Sequence, residues 1–155
     1  MVQAVIDRLI IVNLANCING NIAEIGLPCP VTIEDSEMAG EQLSLHAVTG
    51  GKIDRQYVGG SYTGNFPFAV RYQLSLSQAG RVGFAALDQP LWALSAWFEE
   101  NPGKRRFTIP DSVITVNKIE MTGLPYALAR GSLEQPPPLC VNQAVFKLSY
   151  SKKIN

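Results

Sequence analysis

The stretch from Gly59 to Glu100 constrains the fold most, because an alternating segment runs directly into a long apolar one. From Phe66 to Leu76 the even positions read Phe66, Phe68, Val70, Tyr72, Leu74 and Leu76. The odd ones read Pro67, Ala69, Arg71, Gln73 and Ser75. Such period-two alternation predicts a strand with one face buried and the other wet. The spacing then changes to that of a helix over 79–100, with Phe84, Leu87, Leu91, Leu94 and Phe98 on one stripe. Pro90 is expected to kink this helix or split it in two, with Asp88 placed to cap a second piece. Asn101-Pro102-Gly103 ends it. A strand feeding a helix in this way is a scaffold and holds no catalytic constellation.

The flanking segments complete the outline. Val2, Val5, Ile6, Leu9, Ile10 and Cys17 predict an N-terminal helix that closes at Asn19-Gly20, and a loop with Pro28 and Pro30 around Cys29 follows. Leu43, Leu45 and Ala47 alternate with Ser44 and His46 as a short strand. That strand ends at Gly50-Gly51, a spacing compatible with a hairpin into Ile53–Val58. Gly59, Gly60 and Gly64 loosen the chain before the long strand. Val113–Met121 reads as another strand, and Ala144, Phe146, Leu148 and Tyr150 as the buried face of a final one. Between them Pro125–Leu139 is a long connection. The expected fold is a single α+β domain over 1–155, with a mixed, mainly antiparallel β-sheet packed against a long kinked helix plus the N-terminal helix.

Composition excludes several function classes. The 155 residues suffice for one core, and 13 basic against 13 acidic residues argue against a dominant polyanion-binding role. The odd set Cys17, Cys29 and Cys140 lacks metal-type spacing and points to a reduced, cytoplasmic setting instead of a disulfide framework. Residues 2–18 are apolar but too short for a membrane span, and Asp7, Arg8, Asn13 and Asn16 interrupt them. They also lack the basic lead and small-residue cleavage site of a signal peptide.

Chemistry-bearing motifs are sparse. His46 is the sole histidine and sits on the polar face of its strand, without a nearby nucleophile and carboxylate in triad arrangement. Gly50-Gly51 and Gly59-Gly60 lack the spacings of phosphate-cradling loops, and Glu99-Glu100 point in different directions on a helix. An enzyme is therefore not expected, nor a cofactor. Lys104-Arg105-Arg106 is the densest basic run, with Lys152-Lys153 further on. On a monomer the triplet is a solvated loop, whereas in a ring it would repeat as a lumen or docking face. Trp97 projects beside the Leu94–Phe98 stripe. Trp92 falls among Arg81, Asp88 and Glu99 on the polar side, which makes it a candidate interface anchor unless the kink at Pro90 turns it inward. The 125–139 connection is either a proline-stiffened surface loop or an arm reaching a neighbour through Tyr126, Leu128, Leu133 and Arg130.

The run Tyr57-Val58-Gly59-Gly60-Ser61-Tyr62-Thr63-Gly64-Asn65-Phe66-Pro67-Phe68-Ala69-Val70-Arg71-Tyr72 resembles the central segment of the tail terminator proteins, or minor capsid proteins, of long-tailed bacteriophages. In that family a Tyr/Gly-rich lead-in precedes an aromatic strand, a helix and a strand–loop–strand finish, an order this chain keeps over most of its length. Pro90 departs from the pattern by interrupting the helix. The resemblance implies a structural virion protein, made in the host cytoplasm, that assembles as a hexameric ring on the end of the tail tube. Such a ring stops polymerisation of the tail tube protein and presents the surface for head–tail joining by a head-completion or connector protein. DNA passes through it without sequence-specific binding, and no membrane is involved. On this reading Trp92, Tyr126, Leu128 and Arg130 are subunit or partner contacts, and Lys104, Arg105 and Arg106 line the lumen or docking face. The alternatives are another neck or tail component, either a tail tube subunit or a head–tail adaptor, and a small intracellular ligand-binding domain with its pocket in the concavity of the sheet.

Overall fold

Two long antiparallel strands, β4 (Tyr62–Ser75) and β7 (Leu139–Lys153), lie side by side through the middle of the sheet. In the computed structural model, which describes residues 3–34, 40–48, 52–100, 113–129 and 138–153, they pair without interruption from Tyr62↔Lys152 to Ser75↔Leu139. Each long strand carries two shorter ones end to end along its outer edge. On β4 these are β2 (Gln42–Ala47), opposite 68–73, and β3 (Lys52–Gln56), opposite 62–65. On β7 they are β5 (Val113–Met121), opposite 146–153, and β6 (Tyr126–Ala129), opposite 141–143. A three-residue β1 (Val31–Ile33) runs parallel to β2 and makes the sheet mixed.

One face of this sheet is the core. Phe66, Phe68, Val70, Tyr72 and Leu74 point to it from β4, opposite Leu148, Phe146, Ala144, Asn142 and Cys140 of β7, and all are buried. Phe68 and Phe146 stack with ring centres 5.4 Å apart, and Phe98 meets Phe146 edge-on at 5.7 Å. The helix α1 (Gln3–Asn19) covers this face with Ile6, Ile10, Leu14 and Ile18. The helix α4 (Gln89–Glu100) covers it with Leu91, Leu94, Trp97 and Phe98. The expected α+β fold is thus present. The opposite face carries Thr63, Asn65, Pro67, Arg71 and Gln73, all partly exposed.

The helical region splits, as Pro90 predicts, but the break lies upstream of the proline. A helix α3 (Leu76–Val82) begins directly at the end of β4, where Ser75 and Gln78 form a reciprocal capping box. Leu76, which continues the alternation in sequence, is therefore helical, and its N–H donates to the Pro138 carbonyl at 2.9 Å. Gly83 ends α3 at φ +86°, a backbone state that side chains strongly disfavour. A 3₁₀ turn, Phe84–Leu87, leads into α4. Pro90 sits in the first turn of α4, where its missing N–H costs nothing. Asp88 precedes α4, and its carboxylate accepts from Asn142 Nδ2 across on β7. The reset at Gly83 puts Phe84 out of phase with the stripe, so Phe84 is exposed while Leu87, Leu91, Leu94 and Phe98 are buried.

Three further differences from expectation have local causes. β3 does not pair with β2; it forms a hairpin with β4, closed where Tyr57 N–H donates to the Ser61 carbonyl at 2.8 Å and Gly59 and Gly60 both take positive φ. The Gly50-Gly51 pair lies outside the described residues. The segment after α1 is more than loop, holding a short α2 (Ile22–Ile25) and then β1. Asn19, at the end of α1, clamps β1 with both halves of its amide: Nδ2 donates to the Val31 carbonyl at 2.9 Å and Oδ1 accepts from Val31 N–H at 2.7 Å. Finally, the 125–139 connection contains β6, held against β7.

Since Phe146 touches both Phe68 and Phe98 in a fully buried position, Phe146→Ala is expected to lower unfolding stability by ~3–5 kcal/mol. Urea titration followed by far-UV circular dichroism measures this, and a loss below about 1 kcal/mol would refute the stacked core as described.

Candidate functional site

Residue types able to do chemistry occur on β2, around Cys29 and beside the helices. Ser44 and His46 share one face of β2, and Ser44 Oγ lies 2.8 Å from His46 Nε2. This is nucleophile-to-base distance, yet β2 is flanked by β1 and β4, so its neighbouring amides are occupied by two ladders and are not turned toward an oxyanion. The cysteines are free thiols, Cys140 buried and Cys17 and Cys29 half-buried, and burial followed by the nearby Glu41 carboxylate raises the Cys29 thiol. Among the described residues no group of His, Cys, Asp or Glu could hold a metal ion, and no helix is long and apolar enough to cross a membrane.

A cleft of about 900 Å³ opens between the Gly26–Pro28 turn, the end of β4, α3 and α4. Glu41, Tyr72, Gln78 and Arg81 line it, and the Tyr72 hydroxyl donates to the Glu41 carboxylate. Burial raises the Tyr72 phenol, and the bond to Glu41 raises it further. The cleft therefore lies beside the helices, while the ligand-binding alternative expects a pocket in the concavity of the sheet.

Among the described residues, seven exposed large apolar side chains lie at two corners of the sheet, while Val5, Val48, Val82 and Phe84 are exposed elsewhere. At one, Trp92 is 47% exposed, whereas Trp97 on the same helix is 4% exposed, as their helical projection predicts. Trp92, Ser95 and Glu99 face Met121 and Leu124 across a shallow recess of about 410 Å³, and Leu124 is 73% exposed. The chain continues into β6, where all four residues, Tyr126 and Leu128 among them, are exposed. Tyr126 stands on the helix-free face, where its hydroxyl accepts from Gln143 Nε2. Gln143 Oε1 in turn accepts from Arg71 Nε at 2.7 Å. Trp92 and Tyr126 thus share an edge of the sheet but not a face. At the other corner the β3–β4 hairpin exposes Ile53, Tyr57 and the whole of Val58.

The remaining candidates from sequence, Lys104, Arg105, Arg106, Arg130 and Leu133, lie outside the described residues. Leu124 and Val58 were missed. An apolar residue beside Gly59-Gly60 at a hairpin tip, where polar residues are usual, is the signal for Val58; Leu124 has no comparable pattern.

Beside the hairpin, Tyr62 packs edge-on against Tyr150 with ring centres 6.2 Å apart. Burial pushes its phenol up from 10.0 to about 12, with Tyr150 and Asp7 acting in the same direction. A raised folded-state value means that the protein binds the proton more tightly when folded, so this contribution is intact below pH 10 and fades as pH rises toward 12. Tyr62→Phe is expected to flatten the alkaline arm of a urea-midpoint-against-pH profile, by on the order of 1 kcal/mol across that window. An unchanged alkaline arm would contradict the assignment.

No protein-family model matches the chain, and no curated protein resembles it. Among solved structures, a protein without a descriptive name aligns over 96% of both chains, at 13% identity and a TM-score of 0.45.

Proposed function

We propose that this chain is the tail terminator of a long-tailed bacteriophage, a structural subunit that closes into a ring, hexameric by resemblance, on the end of the tail tube. The observation that carries the reading is the pair of separate apolar corners on one chain, Trp92 with Leu124 at one and Ile53 with Val58 at the other. A cyclic ring joins two different surfaces of each subunit, head to tail, and a chain built for it must display both. The order of elements supports the same reading, since an N-terminal helix, aromatic strand, helix, strand, connection and final strand follow one another as in the resembling family. In this role the tail tube protein and a head-completion protein are the partners on the two ring faces, DNA passes through the lumen, and the protein resides in the virion tail.

The cleft beside Tyr72 and Glu41 favours a second reading, a small-ligand-binding domain, which predicts a monomer with a bound small molecule in native mass spectra.

Sedimentation velocity and negative-stain microscopy, with and without tail tubes lacking their terminus, test the proposal. Rings, or caps confined to one tube end, are expected; monomers indifferent to tubes would refute it. Trp92→Glu and Val58→Ser each remove one corner and are expected to cost about 2 kcal/mol per contact, enough to disperse the ring. Mixed together, the two variants retain one intact contact between them and should stop at dimers. Normal assembly of both variants would remove these corners from the interface.

A further inference from the structure

The cleft beside the short helices draws opposite charges from two of its walls. Glu41 directly precedes β2, and the pairing of Leu43 with Tyr72 carries the odd positions of this segment to the helix-bearing face. There the Tyr72 hydroxyl donates to the Glu41 carboxylate, and Tyr72 is itself buried, so the acid is anchored on the sheet side of the cleft. A carboxylate has about four acceptor positions, and the phenol takes one of them.

Another wall is α3. Gln78, Arg81 and Val82 line the cleft at a spacing of three and four residues, which places them on one helical face, while Ala79 turns into the core. Gln78 Oε1 accepts from Ser75 N–H and from Ser75 Oγ, both at 3.1 Å. The capping box thus fixes this amide and leaves its Nε2 to donate. Among the residues lining the cleft Glu41 is the acid and Arg81 the base, and no ion pair joins them. Leu74 of β4 with Pro90 and Ala93 of α4 adds an apolar surface.

We propose that this cleft binds a small zwitterion with an apolar body, its ammonium on Glu41 and its carboxylate on Arg81 and the Gln78 amide. An acceptor-only carboxylate already oriented by a phenol suits an ammonium, and a guanidinium beside an amide donor suits a carboxylate. A ligand with a single charge would satisfy one wall and strip water from the other without replacing it, which costs affinity. A free apolar amino acid and a dipeptide share the required chemistry, and about 900 Å³ admits either. This gives a ligand class to the cleft of the second reading, and because the site lies within one copy it stands whether or not the chain closes into a ring.

The test is ¹H–¹⁵N spectroscopy of the full chain, titrated separately with leucine, leucyl-leucine, N-acetyl-leucine and leucinamide. Saturable shifts at Glu41, Tyr72 and Gln78–Val82 are expected with leucine or leucyl-leucine, and the tighter of the two assigns the source. N-acetyl-leucine lacks the ammonium and leucinamide the carboxylate, so each should bind about tenfold or more weakly. Glu41→Gln keeps an acceptor for Tyr72; it is expected to weaken the zwitterion by a similar factor and to leave N-acetyl-leucine unchanged. Arg81→Gln should weaken the zwitterion likewise and leave leucinamide unchanged. Both residues are exposed, so these variants preserve the fold. Capped analogues that bind as tightly as leucine or leucyl-leucine would overturn the zwitterion and keep the cleft as a small-ligand site. No saturable shift with any of the four probes would overturn the proposal, and native mass spectra free of any bound small molecule would then remove the second reading as well.

Discussion

The rest of the structure depends on the register between β4 and β7. Their fourteen consecutive pairs decide which side chains meet the helices, because sheet side chains alternate and a slip by one residue would turn Phe66, Phe68 and Val70 to the wrong face together with Leu148, Phe146 and Ala144. The aromatic contacts pin that register: Phe68 stacks on Phe146 within the sheet, and Phe98 closes over Phe146 from α4. Once the pair is set, its two outer edges offer templates on which β2, β3, β5 and β6 settle end to end.

This arrangement explains why the surface is uneven. Short strands laid end to end leave junctions between them, and the register shifts at Ile53/Arg55, Val116/Lys118 and Ala127/Ala129 occur within three of these four strands. Several of the exposed apolar side chains lie beside the same junctions, at the β3 hairpin and where β5 hands over to β6. Irregular edges of this kind resist indiscriminate strand addition, so contacts there come to depend on side chains such as Trp92 and Leu124 more than on an open backbone ladder.

How legible each part was in the sequence follows from how each residue is buried. β4 and β7 are buried on one face only, so their alternation shows plainly, and β5 was read with its full bounds. Trp92 and Trp97 separated correctly because α4 is regular where they lie. β1 and β6 escape for different reasons: β1 is only three residues long, and all four positions of β6 are exposed, so no burial alternation marks it. The partner of β3 is ambiguous in sequence because the Gly-Gly pair before the strand and the one after it are equally good turn signals, and β3 pairs with β4 across the second. The break at Gly83 was attributed to Pro90 because a proline is conspicuous, although in a first helical turn it is harmless. Lys152 read as half of a charged pair, and its burial follows from an alternation that runs further along β7 than its apolar residues reveal.

The pairing of β4 with β7 also has a consequence in time. The two strands are neighbours in space but stand far apart in the chain, with α3, α4, β5 and β6 between them. During synthesis β4 therefore emerges with one long edge that waits for β7 to pair with it. Closing so long a loop is entropically slow. A nascent or truncated chain ending before residue 139 would carry this open edge into the cell, where chaperones, or another chain's strand, would be the first to find it.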